Sequence, residues 1–465
     1  MRFSKQANEH YRFTNAEDLL NDTEAIAELI EHHKNNQRPR LKTLREYYKG
    51  NNAGILVDKR RREEHLADNR ATHNFAKYVS QFIQGYMMGV PLKTTYPNES
   101  VDEQIRDINR DNDADEHNSE LVLDQSIYGR AYEMLYRGSD DKTRFTALSP
   151  LDTFVIYDDT VEFKPIAAIR YIGRQYKEEL DVYLYTDKVI KEYELGEDGE
   201  LETKEELNHF FGGVPVIEYE NNKYRQGDFE DVMTLIDLYD AAQSDTANYI
   251  QDLNDAMLVI MGNLDIDEEK AKYMKDHNLL FLQTEPNADG KEGSADAKYI
   301  YKQYDVQGAE AYKDRIFNNI LLFTSIPNLL DDKQGAGPQS GEALKMKLFA
   351  LSQKRATKER LFKRSLRDRY RLINNMMSMA AEGSFDVNEI LITFTENLPS
   401  MIGRDLEWFI KAGGRLSQKT LIANLPFVEN ADEELEQIEE EDLQSQAGKS
   451  MYDFEEDGSD ESIEA

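Results

Sequence analysis

The segment Gly335-Ala-Gly-Pro-Gln-Ser-Gly341 is the nearest thing in the chain to a phosphate-binding loop and stands before a helical pattern, where free backbone N–H groups would face an anion. A phosphate loop of that kind needs a lysine after the last glycine. Glu342 follows instead, and its carboxylate repels phosphate while suiting the positive end of the helix dipole. Ser340 therefore reads as a helix N-cap. The acid pairs Asp111 with Asp113 and Asp331 with Asp332 would suit a divalent cation in a nuclease, but with 90 Asp and Glu in the chain such pairs arise from composition alone. The eight histidines show no HxxxH or HExxH spacing, and His32 and His33, being adjacent, are expected on different sides of a helix at the surface. No Gly-x-Ser-x-Gly context is present. Neither catalysis nor a cofactor or metal is expected.

The strongest charge signal is a basic amphipathic helix. Between Glu342 and Arg371 there are 11 Lys or Arg against 3 acids, in a chain of formal net charge -34. Leu344, Leu348, Leu351, Phe362, Leu366, Tyr370, Ile373 and Met377 form its apolar stripe, whose middle falls on Arg355 and Lys358. A bend or a change of packing partner is expected there. The cations fit either nucleic-acid phosphates or an acidic surface of the same or an adjacent subunit. Without interleaved exposed aromatics the second reading is favoured, which places Lys354, Arg355, Lys358, Arg364 and Arg367 at subunit contacts.

The acidic counterpart lies upstream. From Asp228, read as an N-cap, to Gly262 the pattern sustains a helix of about 34 residues, about 50 Å at 1.5 Å per residue. Its charges (Asp228, Glu230, Asp231, Asp237, Asp240, Asp245, Asp252, Asp255) are all acidic, so it cannot balance itself through i,i+4 pairs. Those acids face solvent, meet a basic surface, or line something meant to be negative.

At 465 residues the chain exceeds one ordinary core, and 40% hydrophobic residues permit a real one. Zero cysteine removes disulfides and thiolate sites and suits a reducing compartment. The N-terminus lacks an apolar signal region and no run is long enough for a bilayer, so a soluble intracellular product is expected. From Glu429 to Ala465 there are 16 acids against 1 lysine, and the end from Gly448 to Ala465 is expected to be a disordered tail.

Helices are expected over Asn15 to Gly50 with a break at Gln37-Arg38-Pro39, within Asn69 to Pro91 with Phe75, Val79, Phe82 and Tyr86 on one face and Gly89 and Pro91 ending it, near Val101 to Arg110, and from Asp115 to Tyr128. Beyond Gly129 the period changes to two. Ala131–Tyr136, Thr153–Tyr157, Ile166–Ile172, Leu180–Tyr185, Val189–Leu195 and Phe210–Tyr219 read as strands of a mostly antiparallel sheet. Residues 270–304 form a small excursion with strands at Leu279–Gln283 and Lys298–Tyr304. A helix with Ala311, Ile316, Ile320 and Phe323 on one face then stops at Ser325-Ile326-Pro327. Asp386–Thr395 reads as a strand, and Gly403 to Gly413 as a helix with the single tryptophan, Trp408.

With these segments in order, the chain resembles the portal proteins of tailed bacteriophages, in the SPP1-like family of phages that infect Gram-positive bacteria. The resemblance rests on Tyr47-Tyr48-Lys49-Gly50; Asn69-Arg70 with Asn74, Tyr78 and Gly85-Tyr86-Met-Met-Gly89-Val-Pro91; Tyr128-Gly129-Arg-Ala-Tyr132; and Leu148-Ser149-Pro150 with Val155-Ile-Tyr-Asp158. It continues in Gly213-Val-Pro215 with Asn221-Asn222, Gly227-Asp-Phe-Glu230, Gln243-Ser244-Asp245 and Ser340-Gly341-Glu342-Ala-Leu-Lys345. Each piece is short; their shared order spans roughly 300 residues.

The resemblance implies an elongated α+β portal-type subunit in a ring, commonly of twelve, at one capsid vertex around a DNA channel. It implies a wing with a mostly antiparallel sheet over 1–227, a wing-to-stem helix over 228–263, a small α/β clip over 264–307 and a second stem helix over 308–326. A tunnel loop at 327–340, a long kinked wing helix and strand at 341–402, a helical crown at 403–442 and an acidic tail at 443–465 complete the expected division. Asp331, Asp332, Lys333 and Gln334 are then expected at the narrowest point against DNA, with Pro327, Gly335, Gly337 and Gly341 as hinges. Expected partners are double-stranded DNA without sequence readout, terminase, a head-completion adaptor, and capsid and scaffolding proteins, with no membrane. The expected location is the virion, after assembly in the host cytoplasm. A metal-dependent DNA-processing enzyme using clustered carboxylates is the alternative.

Overall fold

Alternation of side chains along the strands decides which layer each residue joins. The computed structural model describes residues 6–56, 67–173, 179–196, 199–252, 257–262, 272–273, 279–283, 296–300, 305–328, 341–395, 434–435 and 437–438. It divides into two units, 1–397 and 398–465; of the second, residues 434, 435, 437 and 438 are described, as helix.

In the first unit a six-stranded sheet has the order β1-β5-β6-β7-β8-β9, built from Tyr11–Phe13, Thr153–Asp158, Pro165–Gly173, Leu180–Tyr185, Val189–Leu195 and Leu201–Asn208. Only β1 on β5 is parallel; the other neighbours are antiparallel. A second sheet, order β10-β3-β4, joins Val216–Glu220, Arg130–Arg137 and Thr143–Leu148. Phe154, Ile156, Ala167, Ile169 and Tyr171 point to one side of the large sheet, where they meet Leu19, Ile26, Leu29 and Ile30 from helices α1 (Ala16–Asn21) and α2 (Thr23–His32). The alternate residues Val155 and Ala168 point to the other side and pack with Tyr132, Leu148 and Val216 of the small sheet. Each fully buried Val, Leu, Ile or Phe side chain among these contributes on the order of 1.5–3 kcal/mol. The outer face of the small sheet is covered by α6 (Ala114–Tyr128) and the long helix α9 (Gly341–Met379). The layers are thus helix, sheet, sheet, helix, and the fold is mixed α and β with open sheets.

Against α6 pack α3 (Arg38–Lys49), α4 (Phe75–Met88) and α5 (Glu99–Asp111), and β2 (Lys93–Thr95) and β14 (Leu391–Thr393) form a two-stranded sheet. The helices α7 (Met233–Asp252) and α8 (Val306–Thr324) pack on each other. A three-stranded sheet, order β12-β11-β13, lies between them in sequence: Leu279–Gln283, Met257–Gly262 and Asp296–Ile300.

Several expectations change. The helix expected to run from Asp228 to Gly262 is the 20-residue α7, and Met257–Gly262 is the central strand β11. A continuous apolar run such as Met-Leu-Val-Ile-Met fits a buried strand as well as a buried helix, so periodicity does not separate them. Chain helicity does not break at Gln37-Arg38-Pro39. A π-helical turn, His33–Gln37, links α2 to α3, and Pro39 sits in the first turn of α3, where its missing N–H costs nothing. That wide turn rotates His33 inward, so His33 is fully buried against Tyr171 rather than at the surface. Of the strand expected over Asp386–Thr395 only Leu391–Thr393 pairs, after a 3-10 turn at Val387–Glu389. Phe323 is exposed, while Lys313, Ile316, Ile320 and Leu321 form the buried face of α8.

Candidate functional site

The long helix α9 extends 39 residues, about 58 Å at 1.5 Å per residue. Leu348, Leu351, Phe362, Leu366, Tyr370, Ile373 and Met377 are all buried, as the stripe predicts. The packing partner changes along it. Ser352 meets the Tyr86 hydroxyl of α4 at 2.7 Å and Lys354 donates to the Thr324 carbonyl at the end of α8. From Phe362 onward the partners are Tyr219, Glu218 and Glu220 of β10.

Where the apolar stripe is interrupted, the cations are buried and paired within the chain. Lys358 Nζ lies 2.5 Å from Asp228 Oδ2 and Lys354 Nζ 3.0 Å from Asp228 Oδ1. Burial pushes the Asp228 carboxyl up, but the two ammonium groups outweigh it and hold the acid far below the usual carboxylate range. Asp228 thus serves as a counter-ion for α9 instead of as a helix cap; its carboxylate also accepts from the Asn221 amide at 3.2 Å. Arg355 pairs with Glu359 at 2.7 Å and lies over the Tyr86 ring. Arg364 reaches Glu220 at 2.8 Å but keeps most of its side chain in solvent, and Arg367 is exposed.

Glu230, Asp237 and Asp240 of the α7 segment also have partners inside the chain. Glu230 pairs with Arg40, and Asp237 accepts from the Tyr47 hydroxyl at 2.8 Å. Asp240, Ser244 and Asn248 stand at four-residue spacing and receive the backbone N–H groups of His73, Ala71 and Asn69, so one polar stripe of α7 docks the segment 69–73. Asp240 also accepts from Asn52 at 2.5 Å and meets His73 Nδ1 at 2.8 Å. α7 also meets α8 through Gln243 and Lys313 at 3.0 Å, and Phe75 lies near Tyr239 and Phe317.

Sequence reasoning did not single out the two ion networks that grip β10 and β3. On one face Glu218 accepts from Arg225 and, at 3.0 Å, from the Tyr157 hydroxyl, while Glu220 meets His10 at 2.6 Å and Arg364. On the other, Glu133 meets Arg369 at 2.6 Å and His117 at 2.7 Å; burial raises it, but Arg369 and His117 bring it down to about 2. The signal available was acids inside fully buried strands, as in Val216-Ile-Glu-Tyr-Glu220, which need cations close by. His10, Glu218 and Glu220 lie close enough to share a cation, but Arg225, Tyr157 and Arg364 already occupy their oxygens, so the cluster acts as an ion-pair clamp on the N-terminal segment. Gly129 belongs to the same junction. Its φ of 80° and a Cβ position 2.2 Å from the Arg225 carbonyl exclude any larger residue.

Of the other sequence candidates, Asp111 accepts from Lys142 at 2.6 Å and Asp113 turns the chain into α6 with φ 46°, so the two do not form a cation pair. Pro327 is buried just past α8, and Gly341 is the first residue of α9. Asp331, Asp332, Lys333, Gln334, Gly335, Gly337 and the cap Ser340 lie outside the described residues, as do Leu344's side chain, Trp408 and the acidic tail. On either side of that loop, Leu322 and Phe323 of α8 and Met346 and Phe349 of α9 are each more than 60% exposed, Met346 reaching 78%. No helix among the described residues is long and apolar enough to cross a membrane.

Comparison with known proteins joins these observations. The Portal protein of Bacillus phage SPP1 is 24% identical over 453 residues, covering 90% of this chain and 86% of that one. The Portal protein of Clostridium phage phiCD119 is 24% identical over 450 residues, covering 90% of this chain and 96% of its own length. Among solved structures, a chain from the neck of an empty GTA particle computed with C6 symmetry aligns at 14% identity and a TM-score of 0.45, over 76% of this chain and 89% of that one. The family model for phage portal proteins of the SPP1 Gp6-like type matches residues 27–448, and the chain belongs to that family.

Proposed function

We propose that the chain assembles into a closed ring at one capsid vertex, serves as the channel through which terminase packages DNA and through which DNA leaves, and docks the head-completion proteins. The match of residues 27–448 to the portal family carries this reading. In this arrangement α7 and α8 form the stem, and the small sheet between them the clip, with Met257–Gly262 reassigned from helix to sheet. Residues 327–340 form the tunnel loop, α9 the spine of the wing, and residues 403–442 the crown. No catalytic group is assigned.

The charge pattern fits a conduit. Each phosphate neutralised by a cation adds affinity, so a channel that must pass DNA freely works best with few available cations. The chain carries a net charge of -34, and Lys354, Lys358, Arg355 and Arg369 of its basic helix are all committed to carboxylates. Asp331, Asp332, Lys333 and Gln334 touch DNA at the narrowest point without reading bases, with Pro327, Gly335, Gly337 and Gly341 as hinges. The exposed Leu322, Phe323, Met346 and Phe349, with Arg364 and Arg367, supply subunit contacts. Heads assembled with Lys333 substituted and Gly335 to Gly337 shortened should protect less DNA from nuclease than wild-type heads; unchanged packaging removes the loop from the mechanism.

A further inference from the structure

Arg130 is fully buried at the start of β3, directly across the strand pair from Glu220. Its Nη2 donates to Gln37 Oε1 at 2.7 Å, while Nε and Nη1 have no partner among the described residues and no access to solvent. The neighbouring cations are neutralised: Arg225 holds Glu218, and Arg40 holds Glu230. Glu218 is near enough to attract Arg130, yet its oxygens are taken by Arg225 and Tyr157. Glu220 is taken by His10 and Arg364. Burial, then Arg225, lowers the Arg130 guanidinium to about 10, which leaves it charged at neutral pH. A buried cation that stays charged needs a counter-ion, because its lost hydration is otherwise uncompensated.

A cavity of about 530 Å³ is lined by Asn8, Glu9, His10, Tyr11 and the same Gln37, with Arg12 and Lys223 also on its lining; Arg130 itself is not part of that lining. Gln37 thus stands between the cavity and Arg130, its Oε1 accepting from the guanidinium and its Nε2 donating to the Glu9 carbonyl at 3.0 Å. Cations outnumber acids on that lining, which draws anions inward. We propose that Arg130 is the anchor of a buried site for a small inorganic anion, chloride under ordinary solution conditions, reached from this cavity past Gln37. The anion accepts from Nη1 and completes the junction of the N-terminal segment, the π-helical turn and the small sheet. The site does not depend on the portal reading.

The test compares unfolding of the full chain in sodium chloride and in sodium gluconate at equal ionic strength. A ligand that binds the folded state stabilises it in proportion to the logarithm of its concentration once above its dissociation constant. The denaturant midpoint of the wild type should rise with chloride and not with gluconate, and Arg130→Met should lose the difference while matching or exceeding the wild type in gluconate. An equal chloride response in Arg130→Met, or none in the wild type, overturns the proposal. Should that variant fail to fold, bromide soaked into crystals of the wild type decides the matter. An anomalous peak within hydrogen-bond distance of Arg130 Nη1 supports the site; a water there, or nothing, refutes it.

Discussion

Lys358 of the long helix and Asp228 at the start of the α7 segment form a fully buried ion pair, 2.5 Å from Nζ to Oδ2, with Lys354 on the second carboxylate oxygen. One acid therefore fixes α9 to the segment that leads into α7, close to the end of α8. Removing one member leaves a buried charge uncompensated, which typically costs 3–5 kcal/mol. Asp228→Asn should destabilise the full chain by about that amount, read as a lower denaturant midpoint, whereas Asp228→Asn combined with Lys358→Met should recover part of the loss. Equal stability of Asp228→Asn and wild type would mean that this pair does not hold the helix.

The same pair sets an acid limit. Asp228 and Glu133 have folded pKa values depressed below those of the unfolded chain, so their contribution is complete above roughly pH 5 and is lost as pH falls through the carboxylate range. Stability should drop steeply below about pH 4. Glu133→Gln should show a shallower dependence between about pH 4 and pH 2 in urea titrations at stepped pH; an unchanged slope would detach Glu133 from the acid transition.

Asp124 works in the opposite sense. Burial, with Glu120 beside it, raises its carboxyl to about 7, so the folded state binds more protons than the unfolded state between about pH 4 and pH 7. Stability from this group falls as pH rises through that window and its cost is complete above it. Asp124→Asn should therefore raise the melting temperature at pH 8 more than at pH 5. A uniform shift at both pH values would contradict the assignment.

Much of this was legible in the sequence. The stripe from Leu348 to Met377 predicted the buried face of α9, and the awkward placement of Arg355 and Lys358 on that stripe predicted a change of partner where one is found. What stayed hidden depends on contacts distant in sequence. Asp228 looked like a local cap, and only tertiary packing reveals that its partners lie 126 and 130 residues away. His33 and Gln37 turn inward because of a π-helical turn, which carries no residue signature comparable to a glycine cap. Met257–Gly262 is apolar throughout, so its pattern fits strand and helix alike.

Subunit association should be separable from folding. Leu322, Phe323, Met346 and Phe349 are exposed, so replacing Phe323 and Phe349 by Asp removes apolar contact area without opening a core. The double variant should keep the wild-type circular dichroism and unfolding midpoint while its assemblies fall apart in analytical ultracentrifugation. Intact assemblies would place the subunit contact elsewhere.

Cryo-electron microscopy of the assembled full-length chain tests the central claim most directly. The account predicts a closed ring with α7 and α8 around a central channel and residues 329–340 projecting into its lumen. Open or irregular assemblies, or a closed ring with those residues on its outer rim, would contradict it.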